Sequence, residues 1–142
     1  MSVNVEALVA KVPTGLLIGS SWRPSSSDEV FDVINPATEE KLAAVSSATS
    51  EDAVAALDAA CAVQQQWAAT SPRERAEILR RAYELVIARA DDFATLMTLE
   101  MGKPLAESHG EVVYGAEFLR WFSEEAVRDY GRYHPTPEGK NR

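Results

Sequence analysis

Apolar and polar positions change their spacing near residue 50, and this change divides the chain into two parts. Before residue 50, short apolar runs alternate with turn residues, which is typical of β-hairpins. The pattern consists of 15-GLLIGSSWRP-24, 29-EVFDVI-34, the turn 35-NPATEE-40 and the returning run 41-KLAAVSS-47. We therefore expect two hairpins within residues 15–48, preceded by an amino-terminal arm of residues 1–14.

After residue 50, apolar residues recur at helical spacing, which predicts helices over residues 50–131. Ser50 is the expected N-cap of the first helix, which should end near Ala69. The face expected to pack in the core carries Val54, Leu57, Cys61 and Trp67.

A second helix has the most distinctive start in the sequence. Ser71 is the expected N-cap, Pro72 occupies N1, and Glu74 at N3 completes a capping box. Ser71 therefore has a predicted structural role. The apolar stripe that follows consists of Ile78, Leu79, Ala82, Leu85 and Val86. A shorter third helix should follow, with Asp91 as its cap.

The stretch 98-TLEMGKPLAES-108 predicts a stop and a restart between two helices. Gly102 suits the left-handed conformation that ends a helix, and Pro104 has the fixed φ of a first turn. Both residues therefore have predicted structural roles. The last helix should run from Pro104 to about Tyr130, roughly 40 Å at 1.5 Å per residue, with Gly131 as its stop.

Two chemical interpretations compete with this helix joint. A phosphate-binding loop requires G-x-x-x-x-G-K-[ST], but Met97 and Pro104 occupy the first glycine and the final hydroxyl positions. The spacing therefore excludes that loop. Glu100 is a candidate catalytic carboxylate. In the joint it is instead a last-turn carboxylate opposed by the helix dipole, which Lys103 is expected to offset.

The charge distribution argues against nucleic acid as a partner. The net charge is −8 and 25% of the residues are charged, whereas phosphate contacts need clustered Lys and Arg. The densest basic group, between residues 73 and 81, alternates with glutamates as on a solvated helix face. With 142 residues, 46% of them apolar, the chain is one globular domain or part of a larger one.

Metal, redox and membrane sites have no support in the sequence. His109 and His134 are far apart, and no cluster has the spacing of metal ligands. Cys61 lies among alanines and is interpreted as a core residue. As the single cysteine it excludes an internal disulfide and fits a reducing cytoplasm. No signal peptide is visible, and no apolar run approaches the roughly 20 residues that span a bilayer.

Several motifs, in their order and spacing, resemble the amino-terminal region of NAD(P)-dependent aldehyde dehydrogenases. They are 18-IGSSW-22, 33-VINPATEEKLAAV-45, Trp67, 71-SPRERA-76 and 96-LMTLEMGKPL-105. The second is similar to the family segment N-P-A-T-G-E-x-I-x-x-V. The segment 118-FLRWFSEEAVRDYG-131 is most similar to the succinate-semialdehyde dehydrogenase branch. The resemblance covers residues 15–134.

The resemblance implies an α/β parent fold with a Rossmann-like cofactor domain, a catalytic domain and a small oligomerisation extension. The chain would supply the beginning of the cofactor domain over residues 15–134, as hairpins followed by a mainly helical region. Residues 135–142 would be a tail or a truncation point. The family's nucleophile, general-base and cofactor motifs come later, so we expect no catalytic and no cofactor-binding residue here. Neither Glu100 nor Cys61 receives such a role.

The resemblance also implies a reaction and a cofactor for the parent enzyme. A cysteine thiolate attacks the aldehyde, hydride passes to NAD or NADP, and water releases the acid. Succinate semialdehyde is the expected substrate, the parent is expected to be a homo-oligomer, and this chain alone is expected to be inactive. Two alternatives stay open. The parent could oxidise a different semialdehyde or aldehyde, or the chain could be a truncated, non-catalytic helical module that docks on an intact subunit.

One candidate site follows from the resemblance. In the family, the long helix that matches residues 104–130 lies beside the substrate tunnel. Tyr114, Phe118 and Trp121 share one side of this helix and would shape the tunnel entrance. The alternative is that these aromatic residues are ordinary members of the core.

Overall fold

The computed structural model describes residues 4–128, 130, 131, 137 and 139. A short helix comes first, and two antiparallel hairpins are then followed by a helical region, as the apolar pattern predicts for residues 15–131. The elements in order are α1 (Val5–Val9), β1 (Leu16–Ile18), β2 (Ser21–Arg23), β3 (Val30–Ile34), β4 (Lys41–Ser46), α2 (Ser50–Ala69), α3 (Pro72–Ala88), α4 (Ala90–Met101) and α5 (Leu105–Glu125).

The two hairpins form where turn residues interrupt the apolar runs. In the first, Leu16 lies opposite Arg23, and Gly19 takes φ +64 in the tight turn between the strands. In the second, Val30 lies opposite Ser46, and the ladder shifts register between Val33 and Ile34. Each hairpin is a separate two-stranded sheet, so the described residues contain no parallel strands.

The amino-terminal arm contains an element that the sequence analysis did not predict. Helix α1 is capped by Asn4, whose Oδ1 accepts a hydrogen bond from the Ala7 backbone N–H at 3.1 Å. Leu8 is buried, and the helix contacts α4. Five residues are too few to display helical periodicity, so this helix depends on its cap and on Leu8 rather than on a repeating pattern.

The predicted starts of α2 and α3 differ in accuracy. Ser71 caps α3 as predicted, because its Oγ accepts from the Glu74 N–H and the Glu74 carboxylate accepts from the Ser71 N–H. The prediction that Ser50 caps α2 is wrong by one residue. Thr49 is the N-cap, since only from there does N3 fall on Asp52, which completes the reciprocal pair.

The start of α4 also differs from the prediction. Asp91 does not cap this helix, which has no side-chain cap hydrogen bond. Only Arg89 separates α4 from α3, so no extended residue is available as an N-cap. Asp91 lies in the first turn instead, and its carboxylate is 3.8 Å from His109 Nε2.

The joint between α4 and α5 has the predicted stop and restart. Gly102 ends α4 in the left-handed conformation, with φ +73 and ψ +11. Pro104 precedes the first residue of α5 rather than belonging to its first turn, and its carbonyl accepts from the N–H groups of Glu107 and Ser108. The expectation that Lys103 offsets Glu100 is wrong, because Lys103 reaches forward to pair with Glu111.

Helix α5 ends earlier than predicted. It stops at Glu125, about 32 Å from its start, so the predicted stop at Gly131 lies six residues further along the chain. Its last turn contains no basic residue, and Glu124 and Glu125 face the unfavourable end of the helix dipole. Most of the predicted tail, together with His134, lies outside the described residues.

The core lies where α3 and α4 pack against α5. Ala90, Ala94 and Val112 form a buried cluster, which Val86 and Met97 extend. Ser108 is completely buried, and its Oγ lies 3.0 Å from Thr98 Oγ1 across the α4–α5 contact. Small side chains at this contact let the helix backbones approach closely.

Helix α2 does not bury the face that the sequence analysis assigned to the core. Val54, Leu57, Cys61 and Trp67 are all exposed. The helix turns Asp52 towards the hairpins, and at about 100° per residue Cys61 then lies on the opposite side. Cys61 is therefore not a core residue, contrary to prediction.

Candidate functional site

Helix α5 has two contrasting faces. Ser108, Val112 and Ala116 recur at intervals of four residues and are buried against α3 and α4. Tyr114 is two residues beyond Val112, which places it about 200° around the helix. The buried face thus fixes which aromatic side chains point away from the neighbouring helices.

The three predicted aromatic residues lie together on the exposed face. The Tyr114 and Phe118 rings meet edge to face, with centroids 5.2 Å apart and planes at 89°. Trp121 lines the same groove, whose volume is about 350 Å³. Tyr114, Phe118 and Trp121 are 68%, 49% and 63% exposed, so they are not core residues within this chain.

Two further residues line this groove, and the sequence analysis did not assign them to it. Phe122 is 54% exposed and lines the groove. It lies only about 40° around the helix from Phe118, which is a signal that a helical projection would have revealed. Glu117 lies between the aromatic positions and completes the lining.

The charges beside the groove are paired with each other. The Glu117 carboxylate lies 2.6 Å from Arg120 Nη2, and the Arg120 guanidinium also stacks over the Tyr83 ring at 5.9 Å. Arg120 is therefore already engaged on two sides. The groove as it stands offers an apolar aromatic wall, which suits the hydrocarbon part of a ligand better than an anionic group.

The residues that resemble catalytic groups lie elsewhere. Glu100 lines a small cavity of about 50 Å³ between α1, the second hairpin and α4, among side chains such as Val33 and Leu96. Cys61 lies on the exposed side of α2 with Asp58 one turn earlier. Within the described residues no His, Cys, Asp and Glu side chains are grouped to hold a metal ion, and no helix is long and apolar enough to cross a membrane.

A nicotinamide cofactor does not fit the residues that the structure describes. Such cofactors bind at the carboxyl ends of parallel strands, where a glycine-rich turn leads into a helix. Here both sheets are antiparallel hairpins, Gly19 lies in a hairpin turn, and Gly102 joins two helices. The described residues thus lack the backbone arrangement that holds a dinucleotide.

Comparison with known proteins assigns the family. The model of the aldehyde dehydrogenase family matches residues 22–142. The chain belongs to the aldehyde dehydrogenase family. The match includes both the second hairpin and the joint at Gly102, which are two of the regions on which the sequence resemblance rests.

Two relatives and one solved structure are similar to this chain over most of its length. It is 77% identical over 101 residues to a succinate-semialdehyde dehydrogenase of Paenarthrobacter nicotinovorans, a match covering 71% of this chain and 22% of the relative. It is 43% identical over 126 residues to the NADP(+) succinate-semialdehyde dehydrogenase of Escherichia coli K12, covering 89% and 26%. Betaine aldehyde dehydrogenase from Staphylococcus aureus, solved with NAD+, superimposes with a TM-score of 0.89 at 27% identity, covering 94% and 27%.

The matches cover only part of each relative, and structural similarity and sequence identity give different information. The chain spans about a quarter of the length of the relatives it matches. The fold of this region is shared with an enzyme named for a different aldehyde, so the arrangement of hairpins and helices does not itself select a substrate. Sequence identity does separate these relatives, at 77% for the succinate-semialdehyde dehydrogenase and 27% for the betaine aldehyde dehydrogenase.

Proposed function

We propose that this chain acts as part of an enzyme that oxidises succinate semialdehyde to the corresponding carboxylic acid with NAD or NADP. The observation that carries the proposal is the 77% identity over 101 residues to a succinate-semialdehyde dehydrogenase. The remaining part of the enzyme chain and the aldehyde are the proposed partners, the enzyme is proposed to be a homo-oligomer, and the proposed location is the cytoplasm. Residues 1–142 alone are proposed to be inactive.

The proposed role of this chain in catalysis is to shape the path of the aldehyde. Tyr114, Phe118 and Trp121 would form one wall of the substrate tunnel, with Phe122 beside them. The support is geometric, since these side chains are exposed together on α5 while the opposite face of the helix is buried. Such a wall would contact the methylene groups of a semialdehyde and exclude water from them.

The charges beside the aromatic wall indicate which part of the substrate this wall does not bind. Arg120 is paired with Glu117, so its charge is already compensated before any ligand arrives. We therefore expect the carboxylate tail of the substrate to be held by residues outside this groove. Substitutions in the wall should raise KM for semialdehydes and for unbranched aldehydes of similar length by similar factors.

A chimeric enzyme tests the proposed activity. In each of the two succinate-semialdehyde dehydrogenase relatives, the matched segment is replaced by the corresponding residues of this chain. NAD(P)H formation is then measured with succinate semialdehyde, glutarate semialdehyde and an uncharged aldehyde, using each cofactor in turn. We expect succinate semialdehyde to have the highest kcat/KM. Since the rest of each chimera comes from the relative, an assembled chimera that loses activity on succinate semialdehyde would contradict the proposal that this chain serves such an enzyme.

The tunnel wall is tested in the same chimeras. Phe118→Ala and Trp121→Ala are each expected to raise KM for the aldehyde, while KM for the cofactor stays unchanged. Leu85→Ala on α3 is the control, because Leu85 is about as exposed as Trp121 but lies on another helix. If the KM for the aldehyde is unchanged in both aromatic variants, the proposed tunnel wall is contradicted, whereas the proposed activity is not.

A second proposed function is supported by the surface of the chain. The accessible surface is 10871 Å², whereas a compact monomer of this mass exposes about 7,200 Å². Large apolar residues such as Leu57 and Trp121 contribute to that excess. In this alternative, residues 1–142 are a non-catalytic module that docks on an intact aldehyde dehydrogenase subunit.

Mixing experiments separate the two proposals. Purified residues 1–142 are combined with an intact succinate-semialdehyde dehydrogenase and passed through a size-exclusion column. Co-elution in a fixed ratio would support docking, and separate elution would count against it. Aldehyde-dependent NAD(P)H formation by residues 1–142 alone would contradict the proposed inactivity of the isolated chain.

A further inference from the structure

Asp52 is the one charged side chain that is buried among the described residues. Only 2% of it is exposed, although it lies at N3 of α2, a position that is usually open to solvent. Carboxylates are seldom fully buried unless their oxygens are paired. The burial of Asp52 therefore depends on the groups that pair with its carboxylate oxygens. Neither the family assignment nor the proposed activity explains why this carboxylate is buried.

The hydrogen bonds to Asp52 come from two separate parts of the chain. Its Oδ2 accepts from the Thr49 N–H at 3.0 Å, which is the ordinary return bond of a capping box. The same oxygen also accepts from the Ser26 N–H and from Ser25 Oγ, each at 3.1 Å. Arg23 Nη2 approaches Oδ1 at 3.4 Å. One carboxylate thus joins the start of α2 to the loop that leaves the first hairpin.

The remaining attachment of α2 lies on the same side and close to the same end. Ala55 and Ala59 share the face of Asp52 and are half-buried. The turn of the first hairpin lies against Ala59, since a Cβ added to Gly19 would be 4.0 Å from the Ala59 Cβ. Every residue from 60 to 69 is exposed. The tertiary contacts of α2 are therefore concentrated in its first half.

We propose that Asp52 is a latch that makes the first hairpin, the loop 24–28 and the first half of α2 open and close as one unit. Helices α3 to α5 have their own buried cluster around Ala94 and Val112, so they do not depend on this carboxylate. Units held by few buried contacts open more readily than the elements of a core. When the latch opens, α2 loses its fixed direction relative to the hairpin.

The chain contains a matched control for this proposal. The capping box at the start of α3 has the same architecture, with Ser71 as N-cap and Glu74 at N3. The Glu74 carboxylate accepts only from Ser71, through its N–H and its Oγ, and is exposed. Removing Glu74 therefore removes a cap alone, whereas removing Asp52 removes a cap and a tertiary connection.

Hydrogen exchange measured by mass spectrometry on the 142-residue chain tests the latch. Asp52→Ala should accelerate exchange roughly tenfold in both 16–28 and 50–59, as expected when hydrogen bonds to a charged group are lost, and should leave α3 to α5 unchanged. Ser25→Ala, which removes one donor from the hairpin side, should accelerate the same two segments by a smaller factor. Glu74→Ala should affect only the first turn of α3.

Three results would overturn the proposal. Faster exchange confined to residues 50–54 in Asp52→Ala would make Asp52 an ordinary helix cap. Equal acceleration in α3 to α5 would mean that the unit is not separate. Uniform exchange across all of these segments in the unsubstituted chain would show that they already open together. If Asp52→Ala does not fold, the pattern in Ser25→Ala decides between the same outcomes.

Discussion

Gly102 is held at φ +73, and a Cβ added there would lie 3.1 Å from Pro36 Cγ in the turn of the second hairpin. A side chain at this position would therefore meet two penalties, the left-handed backbone and the crowding of the proline ring. We expect Gly102→Ala to lower the free energy of unfolding by about 1–2 kcal/mol, which urea denaturation of the chain would measure.

Other glycines provide the control for Gly102. Gly110 and Gly115 lie inside α5, and a Cβ added to either meets nothing within 4 Å. Alanine at these positions should stabilise the helix by about 0.5–1 kcal/mol, because it restricts the unfolded chain without strain. If Gly102→Ala behaved like Gly110→Ala, neither the backbone conformation nor Pro36 would matter at the joint.

Glu39 occupies a conformation that suits glycine, with φ +61. In the family segment N-P-A-T-G-E, which the second hairpin resembles, this position is glycine. We expect Glu39→Gly to raise the free energy of unfolding by about 0.5–1 kcal/mol. Glycine relieves the cost of the left-handed conformation, and part of this gain is offset because glycine gives the unfolded chain more conformational freedom. Thermal denaturation at neutral pH would measure the gain.

Asp28 is the natural comparison for Glu39, since its φ is +57. Aspartate tolerates the left-handed region better than glutamate does, because its short polar side chain can hydrogen-bond locally. Asp28→Gly should therefore give a smaller gain than Glu39→Gly. A larger gain at Asp28 would show that the local backbone penalty is not what limits stability at these turns.

At the scale of elements, the start of α3 could be predicted from the sequence, whereas the buried side of α2 could not. A capping box is local, so Ser71 and Glu74 reveal it in four residues. The one-residue error at Thr49 arose because serine and threonine are both good caps and only the partner at N3 distinguishes them. The exposure of Cys61 depends on which way α2 turns, and that is set by hydrogen bonds to a loop more than twenty residues away.

The elements also differ in their expected response to acid. Backbone N–H groups of Thr49 and Ser26 hold the pKa of Asp52 far below its usual range. The folded chain therefore binds fewer protons at this site than the unfolded chain does. The stability from Asp52 is fully present above its unfolded pKa, near 4, and is lost as the pH falls towards the lowered value.

Denaturation at a series of pH values would test this dependence. The free energy of unfolding should decrease between about pH 5 and pH 2, and Asp52→Asn should flatten the decrease. Glu77 also has a lowered pKa, through its hydrogen bond and charge pairing with Arg80, but 44% of its side chain is exposed. High salt should therefore weaken the contribution of Glu77 and leave that of Asp52. An identical slope in Asp52→Asn would contradict the assignment.

At the scale of the whole molecule, most buried apolar residues are small and many large ones are exposed. The buried apolar residues of the described chain are Leu8, Ala76, Ala90, Ala94, Val112 and Ala116. Leu57, Leu85 and Trp121 are each more than 60% exposed. The apolar pattern predicted that residues 50–125 are mainly helical, but it could not tell which apolar face of a helix is covered within this chain. The aromatic residues of α5 were accordingly identified through the family resemblance and not through the apolar pattern, and their exposure is found only in the structure.

Exposed apolar faces of this extent should make the isolated 142-residue chain associate with itself. We expect its average mass in sedimentation equilibrium to rise with concentration. The double variant Leu57→Gln and Leu85→Gln should shift the chain towards monomer, since each leucine removed weakens association by about 1–2 kcal/mol. Gln65→Asn, an exposed polar change on α2, is the control and should leave the association unchanged. A chain that remains monomeric at every concentration would show that these faces are stable in water, and the proposed docking on an intact subunit would lose its physical basis.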